Sequence, residues 1–78
     1  MSAFQLFRVH NDGSKLSLGI FRYIHNAISS TSKTEEVYWN ETNEIIEMAN
    51  RTREMTCYYA TDAAGRIRFC ARPIEFDF

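Results

Sequence analysis

Residues 35–54 read EEVYWNETNEIIEMANRTRE, and the helical periodicity of this stretch decides the fold expected of the 78-residue chain. Wound as a helix, it puts Tyr38, Thr42, Ile45 and Ala49 on one face, with Trp39 and Ile46 on the adjoining row. Glu44, Glu47 and Arg51 then point elsewhere, and Glu47 precedes Arg51 by one helical turn, the favourable order for an ion pair. Ser32 followed by Glu35 matches a capping box, while Asn40 or Thr42 can cap a shorter helix. The stretch is therefore expected to be the main helix. Just before it, Ile20, Ile24, Ala27 and Ile28 recur at helical spacing, so the middle of the chain is predicted to hold one or two helices.

Strands are expected on both sides. The segment AFQLFRVHNDGSKLSLGIF, residues 3–21, alternates apolar and polar positions around Asp12-Gly13, a dipeptide that tolerates the positive φ angles of a tight hairpin. A two-residue loop there sets Val9 opposite Leu16 and Phe7 opposite Leu18. The other face then carries Phe4, Leu6 and Phe21 beside Arg8 and Ser17, and needs a cover from the helix, the C-terminal strand or another molecule.

After the helical middle, MTCYYAT and RIRFCARPIEF read as two strands joined through residues 62–65. A two-residue Ala-Ala loop would demand positive φ of two alanines. A three-residue loop with Gly65 in the left-handed position avoids that cost. In this register Asp62 faces Arg66 and Tyr58 faces Cys70, while Cys57 lies on the other face with Tyr59 and Phe69. The cysteines then point to opposite sides of the sheet, although a slip of one residue would reverse this. The expected fold is a single α+β domain spanning residues 1–78, ordered hairpin, one or two helices, hairpin, with an antiparallel sheet covered on one face by the helical middle.

Composition narrows the class of function. With 45% hydrophobic, 14% aromatic and 24% charged residues, the chain has the make-up of an ordered domain. Its size limits the expected net stability to about 3–5 kcal/mol. No apolar run is long enough to span a bilayer, and Met1–Gln5 lacks the features of a secretory signal, so a cytoplasmic location without membrane partners is expected. The Asn-x-Thr triplets at Asn40 and Asn50 carry no meaning without secretion.

No catalytic, cofactor or metal motif emerges. His10, His25, Cys57 and Cys70 match none of the short spacings by which metal sites form, and the glycines make no phosphate loop. An enzyme is not expected, nor a cofactor. The informative feature is an uneven charge distribution at a net charge of −1: residues 31–50 carry Glu35, Glu36, Glu41, Glu44 and Glu47 against Lys33 alone, and Arg51, Arg53, Arg66, Arg68 and Arg72 follow. Arg66, Arg68 and Arg72 are expected on one strand face with Tyr58 beside Cys70, a pattern able to hold phosphates and stack a base. Against nucleic-acid binding stands a pI of about 6.1. The closing PIEFDF sets Ile74, Phe76 and Phe78 on one side of an extended tail, to pack on the core or to join a partner.

These features favour a non-enzymatic protein-binding module. In size, single-domain layout and lack of catalytic residues the chain resembles small phage-encoded inhibitors, anti-CRISPR proteins among them. That resemblance implies occlusion of a host protein or nucleoprotein complex. Glu36, Glu41, Glu44 and Glu47 would engage a basic nucleic-acid channel on the host protein, or Arg66, Arg68 and Arg72 an acidic patch, with Tyr58 beside them. The alternatives are a nucleic-acid-binding module using the arginine face, and a structural or oligomeric accessory protein, dimeric through an edge strand or the tail.

Overall fold

The computed structural model describes residues 2–75, in which five strands and one helix follow one another as β1 (Ser2–Val9), β2 (Lys15–Phe21), α1 (Ile24–Ser32), β3 (Tyr38–Met48), β4 (Arg51–Thr61) and β5 (Ile67–Glu75). The strands form one antiparallel sheet in the order β2-β1-β5-β4-β3. The α+β class stands, weighted heavily toward sheet. What changes is the middle: one helix is present, and residues 38–48 and 51–54, expected to be helical, are strand, joined by a turn at 49–50.

The reason lies in side-chain type and pairing. Tyr38, Trp39, Thr42, Ile45 and Ile46 are β-branched or aromatic residues that suit a pleated surface. Segment 51–61 offers a partner of equal length, and all eleven positions from Tyr38↔Thr61 to Met48↔Arg51 pair. The connection is a two-residue turn in which Ala49 (φ 49°) and Asn50 (φ 62°) both adopt left-handed backbone. This is the type I′ geometry that matches strand twist; Asn accepts it readily and Ala does so at a cost. Ser32, expected to cap a helix, instead ends α1, and its hydroxyl donates to the Ser29 carbonyl.

Both other hairpins close with a three-residue loop and a left-handed glycine. In the first, the His10 N–H donates to the Ser14 carbonyl at 2.8 Å, with Gly13 at φ 88°. Val9 therefore faces Lys15 and Phe7 faces Ser17, one place away from the two-residue register. The Asp12 carboxylate stabilises the loop by accepting from the Ser14 N–H and hydroxyl, and these bonds lower its pKa. The last hairpin has the expected loop, with the Asp62 N–H donating to the Arg66 carbonyl at 2.9 Å and Gly65 at φ 83°. Beyond it a bulge intervenes: Thr61 pairs with Ile67 but Ala60 with Phe69, leaving Arg68 unmatched. That extra residue sets Tyr59, not Tyr58, opposite Cys70, and brings Cys57 and Cys70 to the same face.

α1 covers one face of the sheet. Ala27 packs with Leu6, Ala60, Phe69 and Ala71, and Phe21, Ile24, Val37, Trp39 and Tyr58 surround this core. The three alanines let helix and sheet approach closely, leaving Leu6 and Phe69 as the large side chains of the cluster. Of the three covers left open for the Leu6 and Phe21 face, the helix is the one found. It has no side-chain N-cap, and the hydroxyls of Ser29, Ser30, Thr31 and Ser32 bond back to its own carbonyls, so packing holds this short helix more than its ends do.

β5 is a central strand, between β1 and β4, and not an exposed tail; Ile74 pairs with Ala3. Phe76 and Phe78 lie outside the described residues. β4 pairs with β5 only from Tyr58 to Thr61, so residues 43–56 form a two-stranded arm beyond the body of the sheet. Pro73, which has no N–H to give, lies past the last β4 partner, Ala71, where its missing donor breaks no rung to β4.

Candidate functional site

Strand alternation sorts the candidate residues onto two faces. The face away from α1 presents Gln5, Phe7, Ser17 and Ile20 on β1 and β2, Cys70 and Arg72 on β5, Cys57 and Tyr59 on β4, and Asn40, Thr42, Glu44 and Ile46 on β3. No helix lies across this face among the described residues, although Ala3, Cys57 and Cys70 on it are buried.

At its centre is a linked polar cluster. The Tyr59 hydroxyl donates a short hydrogen bond to Glu44 Oε2, Arg72 donates to Glu44 Oε1 at 3.3 Å and to the Tyr59 oxygen at 3.2 Å, and the Thr42 hydroxyl donates to Glu44 Oε2 at 3.3 Å. The cluster spans three adjacent strands and ties the base of the arm to β5. Its hydrogen bonds favour an ionised Glu44, so the Tyr59 phenol holds that carboxyl below its ordinary pKa, despite some desolvation. Conversely, donation to the carboxylate pushes the Tyr59 pKa up to about 12.

Cys57 and Cys70 sit on this face, buried and free. Burial raises both thiol pKa values, and the nearby Glu44 charge raises that of Cys57 further. Protonated, enclosed thiols are poor nucleophiles and poor metal ligands. His10 and His25 are exposed on the first loop and on α1, and no group of three His, Cys, Asp or Glu is placed to hold a metal among the described residues.

The expected arginine row is broken. Arg72 belongs to the uncovered face, whereas Arg68, in the bulge, turns to Glu35 at 3.2 Å. Glu35 also pairs with Arg8 at 3.4 Å, and the Arg8 guanidinium lies 5.0 Å from the centroid of the Phe69 ring. Arg66 is exposed beside the last loop. Tyr58 is on the helix side, edge-on to Phe4 with ring centroids 5.7 Å apart, and so is not beside Cys70. The acidic set is divided as well, because its members lie on a strand and not on one side of a helix. Glu41 and Glu47 share the helix-side face of β3, Glu44 faces the other way, and Glu36 precedes the strand and accepts from the Tyr38 hydroxyl.

A concavity lies where α1 meets β3: a groove of about 170 Å³ lined by Ile28, Trp39, Asn40, Glu41 and Tyr58. The indole N–H of Trp39 is buried with no hydrogen-bond partner among the described residues. Sequence reading missed Tyr59 and Thr42 as cluster members and Glu35 as the bridge between two arginines. Alternation in TCYYAT places Tyr59 with Cys57, but only the bulge sets that face against Arg72. The chain was compared with protein-family models, curated proteins and solved structures. No match was found in any of them.

Proposed function

We propose that this chain is a non-enzymatic protein-binding domain whose recognition surface is the uncovered sheet face, centred on Tyr59 and Arg72. One observation carries the reading: the face opposite α1 bears a Tyr–Arg–Glu cluster already held in place by its own hydrogen bonds. Tyr and Arg are the side chains that contribute most at protein interfaces, and ordering them before contact lowers the entropy cost of binding. Exposed Ile20 and Arg53 and half-buried Ile46 flank the cluster, mixing apolar area with charge. Of the acidic and basic sets, Glu44 and Arg72 belong to this surface; Glu36, Glu41, Glu47, Tyr58, Arg66 and Arg68 lie elsewhere. An inhibitor that occludes a host protein or nucleoprotein complex is the specific form of the proposal.

Capture of partners from lysate of the native cell, with and without nuclease, tests it. The expected result is a protein retained after nuclease and lost with the exposed-face variant Ile20→Glu/Arg53→Glu, but kept with Glu41→Lys/Glu47→Lys on the opposite face. Such surface changes alter stability by only about 0.5 kcal/mol each, so loss of capture reports the interface. Retention of nucleic acid alone, abolished by nuclease, or capture unaffected by the Ile20/Arg53 variant overturns the reading.

A further inference from the structure

We infer that two copies of this chain associate through their β3 strands, antiparallel about a two-fold axis at Thr42, to form one continuous sheet. β3 is a sheet edge of eleven residues with no bulge in its pairing. The other edge, β2, is protected by a register shift against β1. Because β3 and β4 are joined by a two-residue turn, Met48 and Arg51 are a hydrogen-bonded pair, and alternate residues back along β3 bond inward. The backbone groups of Trp39, Glu41, Asn43, Ile45 and Glu47 accordingly face outward, ready for another strand.

Side-chain pairing selects the register. A two-fold axis perpendicular to the sheet must pass through a residue facing its own copy, since side chains opposite one another share a face. An axis at Glu41 or Glu44 sets two like charges directly opposite, and one at Asn43 sets Glu41 against Ile45 and Glu47 against Trp39. At Thr42 the pairs become Thr42 with Thr42, Glu41 with Asn43, Asn40 with Glu44, Trp39 with Ile45, and Tyr38 with Ile46. From Tyr38 to Ile46 apolar residues meet apolar ones, and Glu41 and Glu44 each meet an amide, which are favourable cross-strand combinations, while Glu47 falls opposite Val37, just before β3. The two Glu41 side chains become diagonal neighbours, an unfavourable feature of the register.

The same register accounts for two further observations. Ile45 is 69% exposed although it is a large aliphatic residue on a regular strand. Opposite Trp39, it is carried to the groove between α1 and β3, whose volume of about 170 Å³ suits it. For comparison, a dry apolar cavity of roughly 150 Å³ holds a benzene ring. The arm is the other observation, since a two-stranded hairpin with no cover is marginal in water, and pairing lays the base of each β3 along the distal half of the other. A perpendicular two-fold keeps both Tyr59–Arg72 faces on the same side, so dimerisation extends the proposed recognition surface without consuming it.

Sedimentation of the full chain from low to several hundred micromolar tests the association independently of any partner. The expected species is a closed dimer of the 9.1 kDa chain, weakened at least about tenfold by Ile45→Asp and by Asn43→Pro, with circular dichroism unchanged. Asn43→Pro removes an outward N–H and leaves the backbone bonds to β4 in place, at the cost of the bond that the Thr56 hydroxyl donates to the Asn43 amide oxygen. Glu41→Gln strengthens the dimer, and Leu16→Lys/Leu18→Lys on the other edge leaves it intact. Four results would overturn the inference: a monomer throughout, a dimer insensitive to both β3 substitutions, loss of the dimer on changing β2, or open-ended growth.

Discussion

Removing the Tyr59 hydroxyl and the Glu44 charge, singly and together, measures how far the polar cluster holds the arm to the sheet. Tyr59 has its pKa pushed from 10.0 to about 12, which sets a ceiling of about 2.7 kcal/mol on the coupling. The Glu44 side chain is 32% exposed, and solvent screening reduces the expected coupling to about 1–1.5 kcal/mol. Urea unfolding followed by Trp39 fluorescence, at a fixed low protein concentration, gives the four stabilities of the cycle wild type, Tyr59→Phe, Glu44→Gln and the double variant. The pH dependence has a definite sign. Glu44 titrates lower in the folded state than its ordinary 4.5, so its contribution is complete above that value and is lost as pH falls through the folded pKa. Tyr59 titrates higher when folded, so its contribution is complete below pH 10 and is lost as pH rises toward about 12. A coupling at neutral pH below about 0.3 kcal/mol, or one that does not shrink on acidification, would refute the assignment of the cluster as a strut.

Three further outcomes follow from the core and the turns. Leu6→Ala should cost about 2–5 kcal/mol, enough to leave so small a domain largely unfolded, as loss of the cooperative thermal transition would show. Relieving the left-handed backbone at Ala49 (φ 49°) with Ala49→Gly should stabilise the fold by about 0.5–1 kcal/mol, whereas Asn50→Val should destabilise it; urea midpoints report both. Cys57 and Cys70, at 0% and 1% exposure, should resist a thiol reagent at pH 8 in the native protein and react when urea is added. Rapid native labelling of either thiol would contradict the burial described.

Legibility in the sequence differs sharply between elements. The first and last hairpins were readable because Gly13 and Gly65 mark their turns and the flanking residues alternate. The last loop was read in full, down to the Asp62–Arg66 closure. The Ile24–Ile28 stripe likewise marked a helix at α1, within a middle expected to cover one face of the sheet. The β3–β4 hairpin gave no such signal: its turn contains no glycine, and Tyr38, Thr42 and Ile45 fall at spacings that a helix also satisfies. Of the candidate site, Arg72 and Glu44 were singled out as charged residues, but on separate surfaces.

By itself the sequence determined an α+β domain with hairpins at both ends, helical periodicity at Ile24–Ile28, and charges concentrated in two segments. Those features are written in local periodicity and turn chemistry, which act over a few residues. The tertiary structure alone decided the rest. The segment 51–61 chose strand for residues 38–48 by pairing with them along their whole length, a long-range choice that outweighs local helix propensity. One bulged residue, Arg68, then set which way every side chain of β5 faces relative to β4. It brought Cys57 and Cys70 to one side, sent Arg68 to Glu35 and Arg72 to Glu44, and placed Tyr59 in the centre of the uncovered face. A strand's side-chain period is two, so a shift of one residue inverts a face, and nothing within the strand's own sequence records it.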